Sequence, residues 1–284
     1  MEGQYLVQTM NKKIGIIGFG NMGSCIAAKL IASGYEIIVF DKDVTKLINL
    51  AKEQIAASNI DLVNAAGVII LAIKPQDFGE VLEEIKEKIA DKLIISIAAG
   101  ITTGYIEKYL GNVRIIRTMP NMPARIGKGI TCIYKGKYAN EIDLSIAKEI
   151  FDNLGKTLVL YNEDLMDAAT AISGSGPGFI FAFIENKKLN ITNSEEIEFF
   201  SKELSKAAES LGFSVDEAMV LAEATISGSI ELLKNSKLSV SQLKSQVVSK
   251  GGTTEAGLKV MYQGGNLEDI VKAARDRARE LSRR

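Results

Sequence analysis

Residues 12–27, KKIGIIGFGNMGSCIA, place an apolar run, three spaced glycines and a small-residue segment in one short window. Ile14, Ile16 and Ile17 read as a strand, and Gly18-x-Gly20-x-x-Gly23 follows at once. Few folds accommodate that order. Gly18 lets the chain turn sharply, Gly20 lets a ligand approach the backbone, and Gly23 lets the next helix pack on the strand. A helix opening near Asn21 aims its unpaired N–H groups and positive dipole end out of the turn, which suits a pyrophosphate. The next apolar run, EIIVF, ends at Asp41, a carboxylate about 20 residues beyond the glycines, as dinucleotide-binding βαβ units require.

The same alternation continues. Candidate strands are Ile14–Gly18, Glu36–Phe40, Val68–Ile73, Leu93–Ile97, Val113–Arg117, Ile130–Tyr134 and Thr157–Leu160, the earlier ones separated by helical stretches such as FGEVLEEIKEKIA. Near-continuous apolar strands joined by helices predict an α/β Rossmann domain, a doubly wound and mostly parallel sheet covered on both faces. From about Asn162 the strand pattern stops and every segment reads as a helix. In 194–212, Ile197, Phe200, Leu204, Ala207, Ala208 and Leu211 fall on one stripe at helical spacing. So many apolar-faced helices with little sheet to cover predict packing on a partner chain. The expected organisation is a nucleotide-binding domain over 12–162 and an all-α dimerisation domain over 163–284.

Composition narrows the chemistry. There is no histidine, which removes imidazole bases, Ser–His–Asp and Cys–His nucleophiles and His-ligated metals. Cys25 and Cys132 form no CxxC pair, so no metal site is expected, and both read as buried thiols in a reducing cytoplasm. Lysine plus arginine (34) balances aspartate plus glutamate (35), which predicts neither nucleic acid nor an anionic membrane as partner. The longest apolar run, VIILAI at 68–73, is too short to span a bilayer. No secretion signal opens the chain. Residues 1–9, ahead of Met10, carry no assignment.

In sheets of this kind ligands bind beyond the carboxyl ends of the strands. Asp41 there would accept hydrogen bonds from the adenosine ribose and repel a 2′-phosphate, a lean toward NADH over NADPH. Lys42 would offset that repulsion, or would be a solvated turn lysine. The third strand ends in AIKP, where Pro75 holds Lys74 extended and Ala72 and Ile73 line the cleft. The fourth ends in SIAAGI, whose Ala98 and Ala99 admit a flat ring. The fifth runs into RTMPNMPARIGKG, where Asn121 offers an amide for substrate or simply braces a loop. Two further glycine-rich breaks lie in the helical half, SGSGPGFIF and SKGGTTEAGL. Gly251, Gly252, Thr253 and Thr254 stand directly before a helix, so their N–H groups and the helix dipole make an anion site for a substrate carboxylate; a glycine-rich helix cap without a ligand is the alternative.

IGIIGFGNMGSCIA, AIKPQ, SIAAGI, RTMPNMPA, ISGSGPGF and VSKGGTTEAGL occur in the order and spacing of the pyrroline-5-carboxylate reductases, and the chain resembles that family from Lys12 to its end. The resemblance implies a Rossmann domain followed by helices through which two chains interlock into a homodimer, with larger rings of dimers in some members. It implies reduction of 1-pyrroline-5-carboxylate to L-proline by NADPH or NADH. It assigns Gly18, Phe19, Gly20, Asn21, Met22 and Gly23 to the pyrophosphate. Asn59, Ala72, Ile73, Lys74, Pro75, Ala98 and Ala99 fall to the rest of the cofactor. Gly251, Gly252, Thr253 and Thr254 fall to the substrate, with Thr254 matching the family's catalytic hydrogen-bond donor to the ring nitrogen and the loop facing the cofactor of either chain.

The missing histidine fits that chemistry. A cyclic imine protonates in water, so positioning against the hydride donor supplies most of the rate. Alcohol oxidation needs a base, and the related β-hydroxyacid dehydrogenases carry a lysine shortly after their second-domain glycine motif; here FIFAF has no ionisable group before Glu185. The chain departs from the family at Lys250, where proline is usual, at Gly178-Phe179 for Ala-Tyr, at Met122 for threonine, and in a longer stretch over 185–202. Asn190, Thr192 and Ser194 there read as a loop with a new helix starting near Ser194. Two other functions use the same features: a reductase of another small cyclic imine or keto acid, and a non-catalytic NAD(P)-binding regulator.

Overall fold

The computed structural model describes residues 13–282, so residues 1–9 lie outside the described part. Seven strands form one sheet in the order β2-β1-β3-β4-β5-β6-β7. They are β1 (Ile14–Ile17), β2 (Ile37–Phe40), β3 (Val68–Leu71), β4 (Leu93–Ser96), β5 (Arg114–Met119), β6 (Gly129–Lys135) and β7 (Gly155–Leu160). All seven expected strands are present, with ends shifted by at most two residues. Helices α1 (Asn21–Ala32), α2 (Asn59–Ala65), α3 (Phe78–Ile85), α4 (Thr103–Leu110) and α5 (Glu141–Asp152) connect them.

β1 pairs in parallel with β2 and β3, with Ile14 opposite both Ile37 and Val68, and the parallel pairing continues through β4 to β5. β1, β3 and β4 are buried along their whole lengths, as parallel strands covered on both faces must be. The chain leaves β1 for β2 and then crosses to β3 on the other side of β1. That reversal opens a crevice beyond the carboxyl ends of β1 and β3, where Gly18 and Ala72 lie. Phe78, Leu82 and Ile85 put one face of α3 into the core of this region with no exposure, each burial contributing about 1.5–3 kcal/mol. Asn140 and Asp143 cap α5 reciprocally, and the buried Asp143 carboxylate also takes Arg114 at 2.7 Å.

The described chain divides into two compact units. One runs up to Thr118 and includes Ile133–Asn153; the other comprises Met119–Cys132 and the chain from Leu154 onward. This corrects the single boundary expected near residue 162. The proline loop belongs with the helices because it is packed there. Met122–Ile126 forms a 3-10 turn, and a Cβ on Gly228 would stand 2.3 Å from the Lys128 carbonyl oxygen and 2.9 Å from the Pro123 Cβ. No sequence periodicity signals so close an approach.

The second unit carries α6 (Leu165–Ala169), α7 (Gly176–Glu185), α8 (Ser194–Ser210), α9 (Val215–Asn235), α10 (Val240–Val247), α11 (Thr253–Tyr262) and α12 (Leu267–Ser282). Met122, Phe181, Leu232 and Leu243 share one of its buried clusters. The long 185–202 stretch is a turn followed by a fresh helix, as its sequence predicts. α7 stops at Glu185, Lys187 takes a left-handed φ of 55°, and Asn193 caps α8 by accepting the Glu195 and Glu196 N–H groups. Phe183 and Phe200 then meet edge to face at 5.0 Å. Among the described residues no helix is long and apolar enough to cross a membrane.

Candidate active site

The first glycine turn has the geometry its spacing predicts. Gly18 takes φ 99°, and a Cβ there would lie 2.6 Å from the Ala72 carbonyl oxygen. A Cβ on Gly23 would lie 2.1 Å from the Gly18 carbonyl oxygen, so α1 starts in direct contact with the turn. At Gly20 the same test meets nothing within 4 Å. Gly20 is also the N-cap of α1 with no side chain bonded over it, and the first turn carries no acidic residue. The Asn21, Met22 and Gly23 N–H groups have no intrahelical acceptor and stand behind open space, which fits a pyrophosphate.

Asp41 is buried and bound inward. Its carboxylate accepts the Phe19 N–H at 2.6 Å, the Asp43 N–H at 2.8 Å and the Lys46 ammonium at 3.0 and 3.2 Å. Burial works against ionisation, yet these hydrogen bonds and the Lys46 charge hold the carboxyl below its ordinary pKa. A carboxylate offers about four acceptor positions, and here they are taken. The expectation of Asp41 as a free ribose acceptor is therefore corrected: the carboxylate ties the end of β2 to the glycine turn. Lys42 is exposed and pairs with Asp77 at 2.9 Å, which raises its pKa.

Asn59 opens α2 almost fully buried. Its Nδ2 donates to Glu84 at 2.7 Å, and its Oδ1 has no partner in the protein. An orphaned buried acceptor is costly unless a donor reaches it, and a ribose hydroxyl is such a donor. Together with the open Gly20 face, this fits a dinucleotide held by this unit. The Ala72 N–H continues the sheet to the Ile17 carbonyl at 2.8 Å, and Lys74 is extended ahead of Pro75, exposed, with no partner drawing it inward. Ala98 is buried just beyond β4, with Ala99 partly exposed beside it.

In the second unit Asn121 is only 2% exposed, and its Oδ1 accepts the Ile130 N–H at 2.9 Å. Asn121 thus braces the proline loop through Oδ1, while its Nδ2 is buried without a partner in the protein and stays available to a ligand. The two glycine-rich breaks of this unit do come together. Residues Thr170–Gly174 form a π-turn, with the Ser175 N–H donating to the Thr170 carbonyl at 2.8 Å, a distortion common at functional sites. It leaves the Ser175 hydroxyl 2.8 Å from the Thr253 hydroxyl. A Cβ on Gly178 would stand 2.5 Å from the Thr254 methyl carbon and 3.3 Å from a Val247 methyl, so a glycine here makes room for Thr254.

The second glycine turn differs from the expectation. The Gly251 N–H donates to Glu255 at 2.9 Å, and the Gly252 N–H donates to the Ser249 carbonyl at 2.9 Å. These two N–H groups hold the turn together and are not the free donors expected of Gly251 and Gly252. Gly252 caps α11 without a side-chain bond, leaving the Thr253 and Thr254 N–H groups as first-turn donors without an intrahelical acceptor. Thr254 is buried, and its hydroxyl donates to the Val247 carbonyl at 3.4 Å.

Lys46, Glu84, Ser175, Glu255 and Arg277 were invisible as site residues in the sequence. Lys46 and Glu84 are charged residues with no motif around them, Ser175 and Glu255 lie in or beside motifs read for their glycines and threonines, and Arg277 stands in a terminal helix with several other arginines. Glu185, the first ionisable group after the second-unit glycine motif, pairs with Lys244, which lowers its pKa. Cys25 and Cys132 are buried as predicted and form no disulfide, and burial pushes the Cys132 thiol up to about 12.

Residues 13–100 match the family described as NADP oxidoreductase coenzyme F420-dependent, and residues 197–283 match the pyrroline-5-carboxylate reductase dimerisation family. A pyrroline-5-carboxylate reductase of Aquifex aeolicus is 34% identical over 264 residues, covering 90% of this chain and 91% of the relative. The structure of a pyrroline-5-carboxylate reductase from Coxiella burnetii matches with a TM-score of 0.64 at 33% identity, over 95% of this chain and 98% of that one. The Plasmodium falciparum pyrroline carboxylate reductase, solved with NADP bound, matches with a TM-score of 0.62 at 30% identity, over 96% and 98%.

Proposed function

The chain belongs to the pyrroline-5-carboxylate reductase family, and we propose that it reduces 1-pyrroline-5-carboxylate to L-proline with NADPH or NADH. The observation that carries the reading is the second glycine turn: a helix N-terminus with two free N–H groups and a buried threonine hydroxyl, in a chain without histidine.

A bound nicotinamide nucleotide supplies the hydride. The N–H groups of Asn21, Met22 and Gly23 bind its pyrophosphate and Asn59 Oδ1 takes a ribose hydroxyl, while Asp41 fixes the turn from behind. Ala72–Pro75, Ala98 and Ala99 line the rest of the cofactor. The Thr253 and Thr254 N–H groups take the substrate carboxylate. The Thr254 hydroxyl spends its proton on the Val247 carbonyl, so in place of the donor that the resemblance implies it acts as acceptor, keeping its lone pairs for the N–H of the protonated imine and orienting the ring nitrogen. No general acid is needed, because the imine arrives protonated; the protein's task is positioning.

Two copies pair through the helical unit, as a homodimer or a larger ring of dimers. Phe199, Val215, Met219 and Tyr262, all in the stretch matching the dimerisation family, are exposed apolar side chains. The buried thiols, neither of them in a disulfide, suit a reducing cytoplasm.

The test follows NADH and NADPH oxidation with 1-pyrroline-5-carboxylate against a panel of other cyclic imines and 2-keto acids. Turnover of the pyrroline far above the panel is expected. Reduction of another compound with the pyrroline inert would overturn the reading, as would nucleotide binding with no turnover of any substrate.

A further inference from the structure

Gly251 is held from two helices. Its N–H donates to Glu255 on α11, and its carbonyl accepts Arg277 Nε on α12 at 2.8 Å. That carbonyl belongs to the Gly251–Gly252 peptide, whose N–H donates to the Ser249 carbonyl. The peptide plane that enters Gly252, the N-cap of α11, is thus pinned at both edges. The pinning matters because this plane joins two glycines, with Gly251 at φ 69°. Glycine crosses to the mirror conformation without steric cost, so sterics do not stop the plane from flipping. Freeing the plane frees φ of Gly252, the N-cap about which the first turn of α11 and its Thr253 N–H are hinged.

Arg277 is itself fixed. Nη1 pairs with Glu280 at 2.6 Å, and Nη2 lies 3.7 Å from where a Cβ on Gly251 would stand. Its charge is therefore already met by Glu280, and the bond that reaches the turn comes from Nε. We infer that Arg277 is a positioning residue for the substrate carboxylate: through Nε it locks the Gly251–Gly252 peptide and thereby aims the Thr253 and Thr254 N–H groups. The inference rests on the substrate site proposed above and extends it to a side chain that does not touch the substrate.

Three variants separate the donor from the charge. Arg277→Gln keeps an N–H at the position of Nε and removes the charge. Arg277→Lys keeps the charge and loses that donor. Arg277→Met removes both. Losing a hydrogen bond from a charged donor should raise KM for 1-pyrroline-5-carboxylate about tenfold in the Met and Lys variants. The inhibition constant of L-proline should rise in parallel, while KM for the nucleotide and kcat at saturation stay within about twofold of wild type. Arg277→Gln should remain within about threefold of wild type in every constant. The inference is overturned if Met leaves the substrate KM unchanged, if Lys rescues and Gln does not, or if activity falls with folded fraction at constant KM. Should Arg277→Met fail to fold, the Gln and Lys pair decides on its own. A wild-type enzyme inactive on the pyrroline sinks the functional reading first; an active one with an indifferent Arg277 sinks only this inference.

Discussion

The protein uses a glycine-rich turn before a helix twice, and the two turns are built differently. At 18–23 the glycines create space: Gly20 faces nothing within 4 Å, and the N–H groups of α1 are left unpaired in front of it. At 249–254 the turn is closed on itself. Its two glycine N–H groups bond Glu255 and Ser249, its carbonyl bonds Arg277, and donors remain only at Thr253 and Thr254. An open cradle suits a pyrophosphate, whose several oxygens collect many N–H groups. A braced turn with two donors and one buried hydroxyl suits a small carboxylate that must be held at a fixed angle.

The sharpest way to break that comparison is to push α1 away from the first turn. Gly23→Ala places a methyl 2.1 Å from the Gly18 carbonyl oxygen, so nucleotide affinity measured by titration calorimetry should fall about 100-fold or more, or about 3 kcal/mol. Retained affinity would show that α1 does not need to touch the turn. The second turn should respond in catalysis instead. Thr254→Ala should lower kcat/KM for the pyrroline about tenfold with nucleotide binding unchanged, and Thr254→Ser should recover most of the loss; full activity in the alanine variant would remove the hydroxyl from the mechanism.

Gly178→Ala tests whether Thr254 is placed by the missing Cβ. The added methyl meets the Thr254 methyl carbon at 2.5 Å, and overpacking of this kind costs about 1–3 kcal/mol, readable as a lower Tm with a raised substrate KM. A variant with both unchanged would mean that Thr254 shifts freely. The smallest effect is at Asp41. Since the carboxylate braces the turn, Asp41→Asn should weaken NADH and NADPH binding by similar factors; a selective gain for NADPH would restore the ribose role. Its folded pKa is lowered from the ordinary value, which for a free aspartate is about 3.9. The stability it contributes is complete above that pH and lost as pH falls through the lower folded value. Acid unfolding of the Asn variant should therefore be less steep than wild type below about pH 4.

Much of the first unit was legible because its signals are local. Strand apolarity, the glycine spacing and the proline after Lys74 each act within a few residues, and the sheet followed them closely. The new helix at Ser194 was equally local, since Asn193 caps it from the adjacent turn. What escaped was long-range. Asn121 read as an available amide, but its Oδ1 is taken nine residues away at Ile130, and the proline loop joined the helices through Gly228, about a hundred residues later.

The sequence by itself determined that a dinucleotide turn opens a parallel sheet, that helices follow, and that catalysis proceeds without imidazole, because these depend on residue type and short spacing. Only the tertiary structure decided which polar groups are free. Whether Asp41, Gly251 or Asn121 faces a ligand or another part of the chain depends on Lys46, Arg277 and Ile130 arriving beside them. A buried hydrogen-bonding group takes whichever partner the fold brings within reach.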